Sequence, residues 1–370
     1  MRRLALQLAR TLSAYIARQF FAWFCCVFAA MAIITFLADY VELLRRGGSR
    51  AQATVGVLFE MAVLQLPQTL QEVLPFAVLF GTMLAFWRLT RNNELVVARA
   101  AGVSVWQFLT PAMLVALLIG IFAVTVFNPI ASVAQASFER LDNKILHQGS
   151  NELSLSSAGL WLRQSDEAGN QIIIHAGKLA SPLLVLDNVT LFFFDDLTQF
   201  TSRIDARSAQ LETGDWLIED GMRWLPDKPP QHLASWRLPT QLTPRKIEES
   251  FASPDTMSFW ELPSFIRLLE ESGFPAQRHR LHYNVLLARP FLLCGMVLVA
   301  ATFSLRMQRR GGVTLMIVGG VVAGFLLYVL SDVVFALGIS AKVPVELAAW
   351  TPTGISLIFG VSMLLHLEDG

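Results

Sequence analysis

The sequence has 370 residues, of which 54% are hydrophobic and 16% charged, against roughly 25% charged in an average soluble domain. Acidic and basic residues cancel to a net charge of zero, so nothing indicates a nucleic-acid partner. With a mean hydropathy of +0.50, the composition describes a polytopic membrane protein.

Arg2, Arg3, Arg10 and Arg18 precede an uncharged run from Gln19 to Ala38. At about 1.5 Å per residue, roughly 20 apolar residues cross a bilayer core about 30 Å thick. The run therefore reads as a first transmembrane helix. It is too long for the apolar region of a signal peptide, and no small-residue cleavage motif follows. Further spans are expected at Val73 to Trp87, Val103 to Phe127, Pro290 to Leu305, Val313 to Leu337 and Val345 to Leu367. Between the first two, Gly56 to Glu72 mixes Glu and Gln with aliphatic residues and reads as an interfacial lead-in, broken by Pro67 and Pro75. Cys25, Cys26 and Cys294 all fall inside spans, where they behave as small hydrophobes.

Between the third and fourth spans lie about 150 residues with shorter apolar runs, alternation, and Gly, Asp, Asn and Pro punctuation. Strands are predicted at Leu160 to Gln164, Gln171 to Ala176, Asn188 to Phe194, Gln199 to Leu211, Trp216 to Glu219 and Leu233 to Leu238. Asp187-Asn188, Asp195-Asp196 and Gly214-Asp215 are read as turns. An all-β sandwich or open barrel follows. Val189, Leu191 and Phe193 alternate with Thr190, Phe192 and Phe194, so one face can either line an apolar groove or fill the core. Helical spacing returns over Ser258 to Ser272, with Ser258 as N-cap and Gly273 as stop.

Lys and Arg in short loops set orientation, because long domains translocate largely regardless of charge. With the N-terminus inside, cytoplasmic segments carry ten: Arg2, Arg3, Arg10, Arg18, Arg88, Arg91, Arg99, Arg306, Arg309 and Arg310. The outer loops carry four: Arg45, Arg46, Arg50 and Lys342. Both termini are thus expected in the cytoplasm and the β-domain outside.

Three of the four exceptions cluster behind the first span. Paired guanidiniums suit bidentate recognition of a phosphate-bearing lipid, and the plainer alternative is anchoring to headgroups. Arg289, at the rim of the fourth span, and Arg140, beyond the third, are candidates for the same task.

The chain has no phosphate-binding loop for ATP. Asp332 and Glu346, the carboxylates near membrane depth, read as local caps or pairs. His279 and His282 stand three apart, as metal ligands on a helix can, without a carboxylate in register; neither a metal nor a cofactor is expected. The segment 92–104 reads as an amphipathic surface helix between spans two and three. Leu95, Val96 and Ala98 fall to one side, Glu94 and Arg99 are exposed, and Gly102 ends it. Such a helix can dock on a soluble partner.

Asn93-Glu-Leu-Val-Val-Ala-Arg-Ala-Ala-Gly102 resembles the coupling segment of the lipopolysaccharide-export permeases LptF and LptG. Val41-Glu-Leu-Leu-Arg-Arg-Gly-Gly48 and Phe325-Leu-Leu-Tyr-Val-Leu330 are more similar to the LptG type. The resemblance implies three spans, an inserted periplasmic all-β jellyroll-like domain, and three more spans. The expected boundaries are 1–138, 139–255 and 256–370. It further implies a Gram-negative inner-membrane location and a non-catalytic subunit paired with an LptF-like permease. An LptB-like ATPase and an LptC-like single-span protein complete the set, with lipopolysaccharide as cargo. Glu94, Leu95, Val96, Arg99 and Gly102 would then couple to the ATPase, and Arg45 and Arg46 would meet lipid A phosphates. Some relatives carry a further basic residue inside the first span, where this chain has Thr35. A permease for another lipid or a lipoprotein is the alternative.

Overall fold

The computed structural model describes the chain apart from residues 1, 49–52, 101, 146–152, 157–158, 166–170, 181–184, 196–198, 213, 227–228, 241–252, 272–274, 305–312 and 370. Arg50, Lys228, Gly273, Arg306, Arg309 and Arg310 lie outside the described residues. Two compact units are present. One comprises Met1–Leu146, Ser258–Trp260 and Arg280–Gly370, the other His147–Met257 and Glu261–His279.

The first unit is helical. Helix α1 (Arg2–Gly47) runs 46 residues, with no proline to break it and no glycine before its last position. Helix α2 (Val55–Arg91) is also continuous and carries Pro67 and Pro75 inside it. The expected lead-in and break are therefore absent. Polar residues of this stretch turn to neighbouring helices instead: the Thr69 hydroxyl donates to Asp39 of α1 at 3.0 Å, and Gln71 is buried. Packing of this kind makes an internal proline tolerable in a membrane helix. A seven-residue helix α3 (Glu94–Ala100) follows. Then α4 (Val105–Phe122) passes through a π turn, Ala123–Phe127, into α5 (Asn128–Ile145). After the insertion come α7 (Gln277–Ser304), α8 (Val313–Ile339) and α9 (Val345–Asp369). Six of the described helices are long and apolar enough to span a membrane.

The bundle core joins α1, α2, α4 and α7 through Phe20, Phe24, Phe86, Phe108 and Leu293. Two contacts demand glycine. A Cβ on Gly81 would stand 2.8 Å from the Phe24 backbone, and one on Gly120 would stand 2.5 Å from Pro290 Cα. Small residues bring membrane helices together in this way.

The second unit holds one seven-stranded antiparallel sheet whose strands follow chain order. They are β1 (Leu153–Ser156), β2 (Gly159–Ser165), β3 (Gln171–Ala180), β4 (Val185–Phe194), β5 (Phe200–Leu211), β6 (Asp215–Trp224) and β7 (Gln231–Pro239). Gly214, at a φ of 93°, makes the expected turn before β6. Asp187-Asn188 is not a turn but lies within β4, and β6 continues past Asp220. Asn188 and Asp220 have φ of 53° and 54°, values that Asn and Asp accept more readily than other side chains. Ladder pairing is skipped at Gly177, Asn188, Arg207, Asp220 and Ala234 and resumes in the same register beyond. A crease therefore crosses five strands.

Helix α6 (Leu262–Glu271) packs Leu269, Phe265 and Ile266 on Ile174, Leu186, Leu191 and Trp216 of the sheet. Val189 and Leu191 are fully buried and Phe193 packs against them, so this alternation fills the core. Helix α6 starts four residues after Ser258, which is not its N-cap, because Phe259 and Trp260 are held by the first unit.

Candidate functional site

Arg45 and Arg46 occupy the last turn of α1, where cations favour the helix dipole. Both turn back on Glu42. Arg45 donates through Nε and Nη2 at 2.9 Å each, and Arg46 through Nε at 3.1 Å. All three side chains are partly or largely exposed, and solvent screening leaves such pairs adding little to stability. The guanidiniums are thus arranged but easily released to a better acceptor. Beneath them Leu43, Leu58, Met61 and Ile145 pack together with Phe138 and Leu141. This cluster brings the end of α1, the start of α2 and the end of α5 to one region, and with them Arg140. Arg140 is exposed and donates to Ala136 O at 3.1 Å.

Arg289 lies elsewhere. Its Nη1 donates to Gln71 Oε1 at 2.7 Å, and it lines a cavity of about 240 Å³ walled by α2, α7, α8 and α9. Gln71 also accepts from Asn128 Nδ2 at 3.4 Å, and Asn128 Oδ1 accepts the Phe259 N–H at 2.8 Å. Gln71 and Asn128 are each 2% exposed, and burial makes satisfied hydrogen bonds obligatory there. Alongside, Trp260 Nε1 donates to Thr125 O at 3.1 Å, and Phe259 stacks on Tyr283 at 5.3 Å. The segment returning to the bundle is clamped on the π turn. The structure brings Arg45, Arg46 and Arg140 to one end and sets Arg289 in this network.

Neither carboxylate makes the local pair expected of it. Glu346 reaches Arg280 of α7 at 3.5 Å, and Asp332 has no hydrogen bond or ion pair among the described residues. Lys342 is exposed on the turn after α8, beside Ala341 at a φ of 55°.

Helix α3 is shorter than expected and turned differently. Leu95, 5% exposed, belongs to the bundle core, and Ala98 packs against it. Val97, 68% exposed, presents its side chain outward. Glu94 is partly exposed, accepts from Asn92 Nδ2 at 3.2 Å, and stands within hydrogen-bonding reach of the Tyr15 hydroxyl on α1. The side chains of Val96 and Arg99 lie outside the described residues. Gly102, at a φ of 84°, ends the helix, and Val103 N–H bonds back to Ala98 O at 3.1 Å. This is the six-to-one closure of a glycine C-cap.

Sequence reasoning did not single out Gln71, Asn128 or Val97. Asn128 does carry a signal, because Asn128-Pro129 is the first strongly polar step after Gln107 in a long apolar helix. His279 packs its ring on Phe265 at 5.1 Å.

A family model described as lipopolysaccharide export system permease LptF/LptG matches residues 14–366. Among curated proteins, the lipopolysaccharide export system permease protein LptG of Escherichia coli K12 is 22% identical over 363 residues, covering 96% of this chain and 98% of that protein. LptG of Haemophilus influenzae is 22% identical over 374 residues, covering 97% and 99%.

Proposed function

The chain belongs to the lipopolysaccharide export permease family LptF/LptG, and from that premise we propose that it is the LptG-type transmembrane subunit of an ATP-driven lipopolysaccharide extractor. The family match over nearly the whole chain carries this reading. In it, an LptB-like ATPase supplies the energy from the cytoplasm through α3, with Glu94 and Val97 at the contact and Gly102 fixing the helix end. An LptF-like permease and the single span of an LptC-like protein complete the membrane assembly. The β-unit faces the periplasm and hands the cargo to a bridge towards the outer membrane. Helices α1 and α8 bury only 11% of their most apolar windows inside the chain, which leaves broad faces for other subunits and for lipid.

The mechanism is a change of cavity volume driven from below. Nucleotide binding closes the partner ATPases, α3 transmits the movement, and α1 and α8 narrow a lipid-filled space. Arg45, Arg46 and Arg140 meet phosphates at its mouth, and Arg289 offers a further cation deeper in the bundle. The solvent-exposed Glu42 pairs make that exchange cheap, because phosphate accepts the same bidentate, charge-assisted bonds that the carboxylate does. The chain itself catalyses nothing.

Affinity purification of the tagged chain from native membranes tests this. The expected result is recovery of an ATPase, a second permease and lipopolysaccharide. Recovery of an ATPase with a different lipid or a lipoprotein would reassign the cargo, and purification without any ATPase would overturn the reading.

A further inference from the structure

Two polar side chains of α1 face the corner where α2 gives way to α3. Tyr15 stands within hydrogen-bonding reach of Glu94, the first residue of α3. One turn further along, the amide oxygen of Gln19, assigned by the donors around it, accepts from Arg88 Nη1 of α2 and from Trp23 Nε1, each at 2.8 Å. Residues four apart share one stripe of a helix, so Tyr15, Gln19 and Trp23 form a row turned towards this corner. Beside that row, Ile16 and Phe20 are buried in the same apolar cluster as Leu89 of α2 and Leu95 of α3.

We propose that Tyr15 is a positioning residue of the transport cycle, its hydroxyl holding Glu94 so that α1 follows α3 when α3 withdraws. The proposal rests on the reading of α3 as the ATPase contact, and it names the group through which α3 draws the cavity open again.

The two kinds of contact at this corner transmit different movements. Close-packed apolar side chains resist compression, so a push on α3 reaches α1 through the cluster that holds Leu95, with or without Tyr15. Withdrawal is another matter, because apolar contact has no direction and lets one surface slide along the other. A phenol donating to a carboxylate is directional and charge-assisted. It therefore holds while α3 moves away. The covalent chain offers no substitute, since α1 reaches α3 only through the whole of α2. Glu94 is also aimed, as Asn92 Nδ2 donates to its Oε1 at 3.2 Å.

The test uses the assembled complex with its ATPase in proteoliposomes containing lipopolysaccharide. Crosslinking of that lipid to a photoreactive residue at Val41 reports whether the cavity is filled. In the wild type, a non-hydrolysable ATP analogue should suppress the crosslink, and washing out the analogue should restore it. Tyr15→Phe keeps the ring and removes the hydroxyl. Subunit composition and suppression by the analogue should match the wild type, whereas the crosslink should return about tenfold more slowly, the effect of one hydrogen bond to a charged group. Replacement of Tyr15 by 4-aminophenylalanine puts an N–H donor where the hydroxyl was and should restore the fast return. Unchanged recovery in Tyr15→Phe, a loss that the amino derivative does not repair, or weakened suppression in Tyr15→Phe overturns the proposal. A wild-type crosslink that ignores nucleotide instead removes the reading of α3, and the proposal with it.

Discussion

Trp260 donates its indole N–H to the carbonyl oxygen of Thr125 at 3.1 Å, inside the π turn that interrupts the third span. A π turn widens the helix and breaks its regular hydrogen-bond ladder, and such turns gather at functional positions. Here the widened turn, with Asn128 directly after it, grips the two residues at which the chain re-enters the bundle.

Asn128→Ala should remove the acceptor of the Phe259 N–H and leave buried polar groups unsatisfied. The expected cost is about 1 to 3 kcal/mol, read as a lower Tm and faster amide exchange at Phe259. Asn128→Asp keeps the acceptor and should restore protection. Unchanged exchange in Asn128→Ala would show that this bond does not hold the segment.

On α3 the roles of Leu95 and Val97 should separate. Val97→Asp should abolish co-purification of the ATPase while the chain stays in the membrane, because Val97 faces outward. Leu95→Ala empties a core position and should destabilise by about 2 kcal/mol or more, visible in thermal unfolding. Glu94→Lys should leave assembly intact and uncouple ATP hydrolysis from transport. Full coupling in Glu94→Lys, or normal ATPase binding by Val97→Asp, would remove α3 from the energy path.

For Arg45 and Arg46, replacement of both by Glu should abolish crosslinking of lipopolysaccharide to a photoreactive residue at Val41, which is exposed on the same helix. Insertion and assembly should persist, and Lys342→Glu should have little effect. Undiminished crosslinking in the double variant would reduce the pair to a membrane anchor.

Gly120→Val forces a side chain into Pro290, with Cβ 2.5 Å from a backbone carbon that cannot swing aside. Overpacking of this kind typically costs about 1 to 3 kcal/mol or more, and the yield of folded protein should fall sharply. Gly56→Ala meets no atom within 4 Å and should be neutral by the same measure.

Topology can be read directly. A reporter fused after Gly370 should be active only in the cytoplasm, and protease added to spheroplasts should cleave near Pro229-Pro230. Protection of that site after its accessibility is shown in solubilised protein would reverse the orientation.

The six spans and the strand-rich insertion were visible in the sequence because both rest on strong periodic signals. Failures came where a residue type has two physical outlets. Pro67 and Pro75 usually end a helix, but tight packing of α2 on its neighbours holds the helix through them. Asp187-Asn188 has turn chemistry, yet left-handed Asn188 creases a strand without ending it. Leu95 and Val97 are both aliphatic, and only the packing of α3 on the bundle decides which one faces out. Gln71 and Asn128 could not be paired from a single sequence, because 57 positions separate them.

Helix α1 has 46 residues, so it is about 70 Å long and crosses roughly twice the depth of the hydrocarbon layer. A rod of that length works as a lever. Rotation by about 10° around its middle displaces its two ends by about 6 Å each in opposite directions. In the proposed mechanism, a small push near Tyr15, which Glu94 of α3 reaches, would be delivered at the far end as a sideways sweep of Arg45 and Arg46 comparable to the width of a phosphate group.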